Sequence, residues 1–378
     1  MSDDENMTGM PPPLDALAAL AEEVGLELRG TLAAEPLPDT DPALPARLDA
    51  WLAAGYQGDM TYLERAVELG PDLRRWKDWT RGALLFALPY HRPAGGFHGG
   101  GRVARYALGR DYHQVIGKKL ERLGRRLRAH GLATRYRATV DAAPVLEREW
   151  ALRAGLGWRG KNTLFLHPEH GPWMLLGELL VDVELHPWAP PPARQATCGS
   201  CTRCLEVCPT DAFPTPYQLD ARRCLSYLTI ENRGPIPREW REPMGDWVFG
   251  CDLCLEVCPF SPDHVDASAD WGLHEALSST TLEQLLPMEE AVFHKLFTGS
   301  PLRRPGWEGL LRNACVVLGN LQRGGDALRV AVREHPSPLV RSHAAWALGR
   351  LGDEATLREV AAKDQDESVR AEAHAAGS

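Results

Sequence analysis

No stretch of this chain is apolar for long enough to cross a membrane as a helix, which sets aside a membrane-spanning helical protein. Residues 1–13 are acidic and proline-rich, unlike a secretory leader, so the expected location is the cytoplasm. Basic charge is in deficit: 42 Lys and Arg stand against 51 Asp and Glu, a formal net charge of −9. That balance excludes wholesale coating of nucleic acid, and a nucleic-acid partner would need a local basic face. Cysteine is nearly absent outside one window. The lone outlier, Cys315, lies in an apolar helical stretch and reads as a small core residue. With 44% hydrophobic and 25% charged residues the chain can still bury ordinary cores, and 378 residues suggest two or three domains.

The other eight cysteines lie between Cys198 and Cys258, in two runs that each end in Cys-Pro. The first is Cys198-x-x-Cys201-x-x-Cys204-x-x-x-Cys208-Pro209, the spacing by which a short loop wraps three thiolates around one 4Fe-4S cluster and sends the fourth to a neighbour. The second, Cys251-x-x-Cys254-x-x-x-Cys258-Pro259, lacks one thiolate because position 248 is Val248; Cys224 is the nearby replacement. Crossing the cysteine before each proline groups Cys198, Cys201, Cys204 and Cys258 on one cluster, and Cys208, Cys224, Cys251 and Cys254 on the other. Four-thiolate zinc sites also use Cys-x-x-Cys pairs, but triple runs ending in Cys-Pro are unusual for them. Disulfides fit a reducing compartment poorly.

Periodicity predicts helices over 14–28, 43–54 and 112–130, the last basic on one face, and another helix after Asp141 and Pro144 that reaches Ala154. The run 83–88 reads as a core strand stopped by Pro89, and 174–183 as a strand broken by Gly177. Residues 1–10 read as disordered. Alternating helices and buried strands predict an α+β (α/β-type) domain over 1–190, closed by a stiff connector, Pro187-Trp188-Ala189-Pro190-Pro191-Pro192. A ferredoxin-like unit then covers 191–265. From 266 to 378 the phrases around Arg312, Arg341 and Arg370 recur every 29 residues, the mark of HEAT-like helix pairs, short enough to need support from the cluster-binding part.

Gly155-Leu156-Gly157-Trp158-Arg159-Gly160-Lys161 nearly spells a phosphate loop, yet it follows a helix rather than a strand, and Asn162 stands where magnesium binding needs Ser or Thr. It reads instead as a tight turn that lets the backbone approach a bulky ligand. Asp141, by residues alone, reads either as the N-cap of the helix after it, worth about 1 kcal/mol, or as a catalytic acid.

Several phrases together resemble one family: Ala104-Arg105-Tyr106-Ala107-Leu108-Gly109-Arg110-Asp111-Tyr112-His113, Val140-Asp141-Ala142-Ala143-Pro144-Val145, Leu176-Gly177-Glu178-Leu179 and Arg223-Cys224-Leu225-Ser226-Tyr227-Leu228-Thr229-Ile230-Glu231. With the glycine turn and the cysteine runs, they resemble the epoxyqueuosine reductases over nearly the whole chain. The resemblance implies an oxidoreductase that removes the epoxide oxygen from a modified wobble base of tRNA. It implies a base-off cobalamin and two 4Fe-4S clusters, with electrons from a low-potential donor of flavodoxin or ferredoxin type. No Asp-x-His-x-x-Gly phrase offers a lower cobalt ligand, in keeping with a base-off cofactor.

Asp141 matches the family's proton donor, for which a raised pKa is expected, and the N-cap role can coexist with it. The family pattern suggests Ala104, Asp141, Phe165, Leu176, Ser226 and Asp252 as cobalamin contacts, and leaves Lys161 to a corrin amide, an RNA phosphate or solvent. Candidates for tRNA phosphates are Arg233, Arg303, Arg304 and Arg312, with Arg222, Arg223, Arg238 and Arg241 nearby; Arg341 and Arg370 read as structural. The expected state is a monomer. Two rival classes remain: a corrinoid reductive dehalogenase, which usually has an export signal and lacks helical repeats, and a plain electron carrier, which leaves Asp141 without purpose.

Overall fold

The computed structural model describes residues 11–39, 41–190, 197–264, 266–267 and 269–377. Residues 1–10 and the end of the proline connector, 191–192, lie outside the described residues.

The first part is built on an antiparallel sheet in the order Gly30–Ala33, Gly82–His91, Met174–Val181, Tyr136–Thr139, with Asp266–Ala267 added beside Tyr90 and His91. Antiparallel pairing with helices on both faces makes it α+β. The two central strands read as nearly continuous apolar runs because both faces are covered. Leu84, Phe86, Leu179 and Val181 pack beneath the Leu14–Glu22 and Tyr112–Ala129 helices, while Ala83, Leu85, Leu176 and Leu180 pack toward Leu44, Trp150 and Ala151.

Four boundaries differ from expectation, for local reasons. The first helix ends at Glu22 because Gly25 turns the chain at φ 72°, and the 43–54 helix is trimmed to Leu44–Ala53. The strand runs through Pro89 to His91. Tyr90 N–H donates to Trp173 toward the neighbouring strand, so by alternation Pro89 nitrogen faces the edge that has no described partner there and no ladder bond is lost. Gly177 does not break its strand: it pairs with Phe86, and a Cβ there would meet Ile116 Cγ2 at 2.9 Å, so the glycine admits the long helix close to the sheet. The last helix of this part begins only at Glu147.

In the cysteine-rich part the cysteine loops carry single-turn helices, Arg203–Glu206 and Leu253–Glu256, and Trp247–Phe249 pairs in parallel with Arg102–Val103. Beyond it Gly306–Asn320, Gly325–Glu334, Pro338–Arg350, Glu354–Lys363 and Glu367–Ala376 stack as HEAT-like helices. Leu310, Ala314, Val317, Ala344, Ala347 and Val369 line the shared core, which continues into Leu228, Val248 and Phe249. The stack does lean on the cluster-binding part. Asn313 Nδ2 donates to the carbonyls of Thr229 and Val248, Asn320 Nδ2 to those of Arg241 and Gly245, and Arg241 pairs with Glu372 at 2.9 Å. No helix among the described residues is long and apolar enough to cross a membrane.

Candidate active site

The chain leaves the sheet after Thr139, which pairs with Glu178, and turns at Asp141. Asp141 has φ 51°, a left-handed conformation that costs most residues about 1–2 kcal/mol and that aspartate tolerates better than most. Because Leu146 is the N-cap of the Glu147–Arg153 helix, Asp141 caps nothing, and that reading is corrected. Its carboxylate instead accepts a hydrogen bond from the Tyr112 hydroxyl at 2.5 Å and stands 3.6 Å from His113 Nε2. His113 Nδ1 is held by Asp111 at 2.7 Å, and Asp111 also caps the Tyr112–Ala129 helix. The Asp141 side chain keeps 62% of its surface exposed beside these partners.

Burial pushes the Asp141 carboxyl up, but the hydrogen bonds from His113 and Tyr112 outweigh it and hold the group below its ordinary range. The raised value expected from sequence is therefore corrected: two donors reach the charged form. Burial lowers His113, yet Asp111 and Asp141 outweigh that and lift it to about 9. At neutral pH the proton of this cluster rests on His113, beside an ionised Asp141.

Tyr106 packs edge-on to Tyr112, with centroids 5.8 Å apart, and tilts onto Phe249 at 6.1 Å; its hydroxyl feels the charges of both Asp141 and Asp252. On that side Ala104 N–H donates to Phe249 and Arg105 N–H to Asp252 Oδ2, both at 2.8 Å, which joins Ala104 and Asp252 next to Cys251. Burial pushes Asp252 up to about 6, with Arg105 opposing. Phe165 and Leu176 are buried together in the apolar cluster under the Glu147–Arg153 helix. Ser226 sits in the first turn of the Leu225–Ile230 helix, two residues from Cys224. Arg105 Nε and Nη1 are buried without a hydrogen-bond partner among the described residues. The guanidinium lies over the Trp173 ring at 4.5 Å and pairs with Glu256 at 3.1 Å, on the side of the second cysteine loop.

The cysteines lie close together in the fold. Cys198, Cys201, Cys204 and Cys258 line one hollow together with Gly160 and Lys161. Cys224, Cys208, Cys251 and Cys254 lie within electrostatic reach of one another. Burial, reinforced by neighbouring thiols, pushes Cys204 up to about 11 and raises Cys254 further, so iron must displace protons to bind. Val248 is a fully buried strand residue, which accounts for the missing fourth cysteine of the second run.

The glycine turn is a hairpin, Trp158–Arg159 against Phe165–Leu166. Gly157 admits the partner strand, since a Cβ there would sit 2.0 Å from Leu166 O, while Gly160 lines the first cysteine hollow. Lys161 is neither a solvated lysine nor a phosphate ligand, since its Nζ donates to Gly199 O at 2.8 Å and Cys201 O at 2.9 Å. Asn162 Nδ2 donates to Cys254 O at 3.3 Å, so one turn braces both cysteine loops.

Among the arginines, Arg233, Arg303 and Arg304 are exposed, and Arg304 forms a two-toothed pair with Glu231. Arg312 has no exposed surface, its guanidinium being spent on the carbonyls of Leu228, Asn232 and Gly234, so its assignment to phosphate is corrected. Arg241 is buried likewise, against Glu372. Arg341 pairs with Asp364 and Arg370 donates to its carbonyl, as structural residues do. Sequence reasoning missed Tyr112, His113, Glu147 and Glu178, although all four lie in or beside the quoted phrases.

A reductase from Pseudomonas aeruginosa named epoxyqueuosine reductase is 43% identical over 322 residues, 82% of this chain and 87% of its own length. The chain belongs to the epoxyqueuosine reductase family. It is thereby an oxidoreductase, with a two-cluster 4Fe-4S domain and C-terminal HEAT repeats. Family members from Xanthomonas campestris and Escherichia coli are 40% and 37% identical, each over 90% of this chain and 98% and 91% of their own lengths. Family models match at residues 71–142 (Epoxyqueuosine reductase QueG, DUF1730), 197–261 (4Fe-4S double cluster binding domain) and 308–377 (HEAT repeats). Among solved structures, an epoxyqueuosine reductase with an epoxyqueuosine-modified tRNA-Tyr stem loop superposes with TM-score 0.84 at 27% identity, covering 96% of this chain and 97% of that one. The Bacillus subtilis enzyme, captured with its aspartate catalytic loop swung out of the active site, gives 0.82 over the same shares.

Proposed function

We propose that this protein reduces epoxyqueuosine to queuosine in the anticodon of tRNA, with Asp141 passing the proton to the departing epoxide oxygen. The observation that carries this reading is the Tyr112–Asp141–His113 cluster, linked through Tyr106, which feels the charges of both Asp141 and Asp252, to the loop of the second cysteine set. Epoxide oxygen leaves readily only when protonated, and a low-potential source must supply two electrons to the carbon side. Bound cobalamin would supply the strongly reducing centre there, and two 4Fe-4S clusters the one-electron steps toward it. The cluster ligands are Cys198, Cys201, Cys204 and Cys258, and Cys208, Cys224, Cys251 and Cys254. Ala104, Asp141, Phe165, Leu176, Ser226 and Asp252 would hold the corrinoid.

The chain's own part is to hold and move the proton. His113 keeps it at neutral pH, Tyr112 and His113 orient the Asp141 carboxylate, and the loop moves between inward and outward positions as in the Bacillus subtilis relative. The tRNA stem loop, bound by one relative, would reach Asp141 past Arg233, Arg303 and Arg304, and Tyr62 beside Arg304 is close enough to feel the charge of Asp141. Residues 1–190, 191–265 and 266–378 then serve corrinoid binding, electron entry and RNA support, in a cytoplasmic monomer fed by a flavodoxin- or ferredoxin-type donor. Cells lacking the protein should accumulate epoxyqueuosine in tRNA, and the purified chain should bind cobalamin in base-off form. Normal queuosine levels in the deletion strain would reject the reading.

A further inference from the structure

Behind the Asp141 loop lies a pair of carboxyl groups that the proton transfer does not use. Glu178 is 1% exposed, fixed opposite Thr139 by sheet register, and its Oε2 accepts from Thr139 Oγ1 at 2.7 Å. Its carboxyl is hydrogen-bonded to that of Glu147, at the start of the Glu147–Arg153 helix. Glu147 Oε1 in turn accepts the backbone N–H of Asp141. The hydrogen bond to the backbone N–H of the left-handed residue therefore comes from a carboxyl pair whose inner member, Glu178, is buried. Two carboxyls in hydrogen-bond contact share a proton, because both cannot be charged so close together away from water.

We infer that Glu147, backed by Glu178, is the latch of the Asp141 loop, a positioning residue that holds the loop inward while the pair keeps its shared proton; once that proton is lost, the like charges of Glu178 and Asp141 drive the Glu147 carboxylate off the Asp141 N–H and the loop is released. Left-handed strain at Asp141 is of the order of one hydrogen bond, so the latch decides which position is favoured. Burial pushes Glu178 up to about 8 and Glu147 well above its ordinary range, so the pair holds its proton through neutral pH and the release falls on the alkaline side. The charges facing the pair are few. Asp141 opposes ionisation and Arg148 favours it, though the Arg148 guanidinium is committed to Thr163 O at 2.8 Å. On the neighbouring hairpin Arg159 is neutralised by Glu149, at the far end of the helix Arg153 is neutralised by Glu35, and on the long helix Tyr112 and His113 spend their donors on Asp141.

The inference rests on Asp141 being the proton donor, but its test does not use turnover. Hydrogen–deuterium exchange of residues 140–146 is followed in the cluster- and cobalamin-loaded enzyme from pH 6.5 to 9.5 and corrected for intrinsic exchange. Protection should be flat to about pH 8 and then fall by up to about tenfold per pH unit, as one-proton linkage requires. In Glu147→Gln the amide oxygen still accepts from Asp141 while its NH2 donates to Glu178, so the fall should begin only where His113 titrates, near pH 9. Glu147→Ala should lose about tenfold in protection at every pH; if it does not fold, the Gln variant decides alone. A wild-type profile flat through pH 9, or a Gln variant that tracks the wild type, overturns the latch. An Asp141→Asn enzyme that still turned over would instead remove the acid and leave the latch standing.

Discussion

Replacing Arg312 by methionine separates a structural arginine from a phosphate-binding one. The side chain has no exposed surface, and its guanidinium donates to Leu228 O at 2.8 Å, Asn232 O at 2.9 Å and Gly234 O at 2.6 Å. Methionine fills much of the volume and orphans three buried carbonyls, each worth about 1–3 kcal/mol, while relief of a buried charge offsets part of the loss. A net destabilisation of about 2–4 kcal/mol follows, which should move the urea midpoint of the helical repeats down by about 1–2 M. Far-UV circular dichroism reads it. The control is Arg304→Met, which loses only an exposed pair with Glu231 and should cost no more than about 1 kcal/mol. An Arg312→Met protein with an unmoved midpoint and weakened tRNA binding would refute the reasoning and return Arg312 to the RNA face.

Other consequences are as direct. Cys224→Ser should cut iron from about eight to about four per chain after anaerobic reconstitution, whereas Cys315→Ala should retain all of it; equal iron in the two variants would break the grouping. His113 should titrate near pH 9 by NMR, and Asp141→Asn should bring it down toward 6.5. The sign is fixed by linkage: the folded pKa of His113 lies above its unfolded value, so its contribution to stability is complete below 6.5 and lost as pH rises through about 9. Asp141 is depressed, so its contribution holds above 3.8 and disappears as pH falls through the lowered value. Joint replacement of Arg303 and Arg304 by alanine should weaken tRNA binding and flatten its salt dependence by roughly one unit of slope per residue; an unchanged slope would move the RNA elsewhere.

What the sequence disclosed was whatever local spacing controls. Eight cysteines sort into two sets by the positions of Cys208 and Cys258 before their prolines, and Cys198, Cys201, Cys204 and Cys258 share one hollow. The 29-residue recurrence maps onto stacked helices because each turn of that pattern must bury the same face. Tertiary placement was not legible. Arg312 occupies the same place in the repeat phrase as Arg341, but only packing against Leu228 shows that it is sealed from solvent. Asp141 looked like a cap because Pro144 suggested an early helix start, whereas the chain spends six residues on a loop tied back by Glu147. Its depressed pKa comes from Tyr112 and His113, some thirty residues away in sequence, and no local pattern reports that meeting.

The central claim is that Asp141 is the acid in removing one oxygen atom from epoxyqueuosine on tRNA. Reconstituted wild-type protein and Asp141→Asn, matched for iron and cobalamin, should be given reduced donor and epoxyqueuosine-bearing tRNA under anaerobic conditions, with the nucleosides read by mass spectrometry. Wild type should yield queuosine and the variant should leave the epoxide intact. Equal conversion by both, or by neither, would contradict the account.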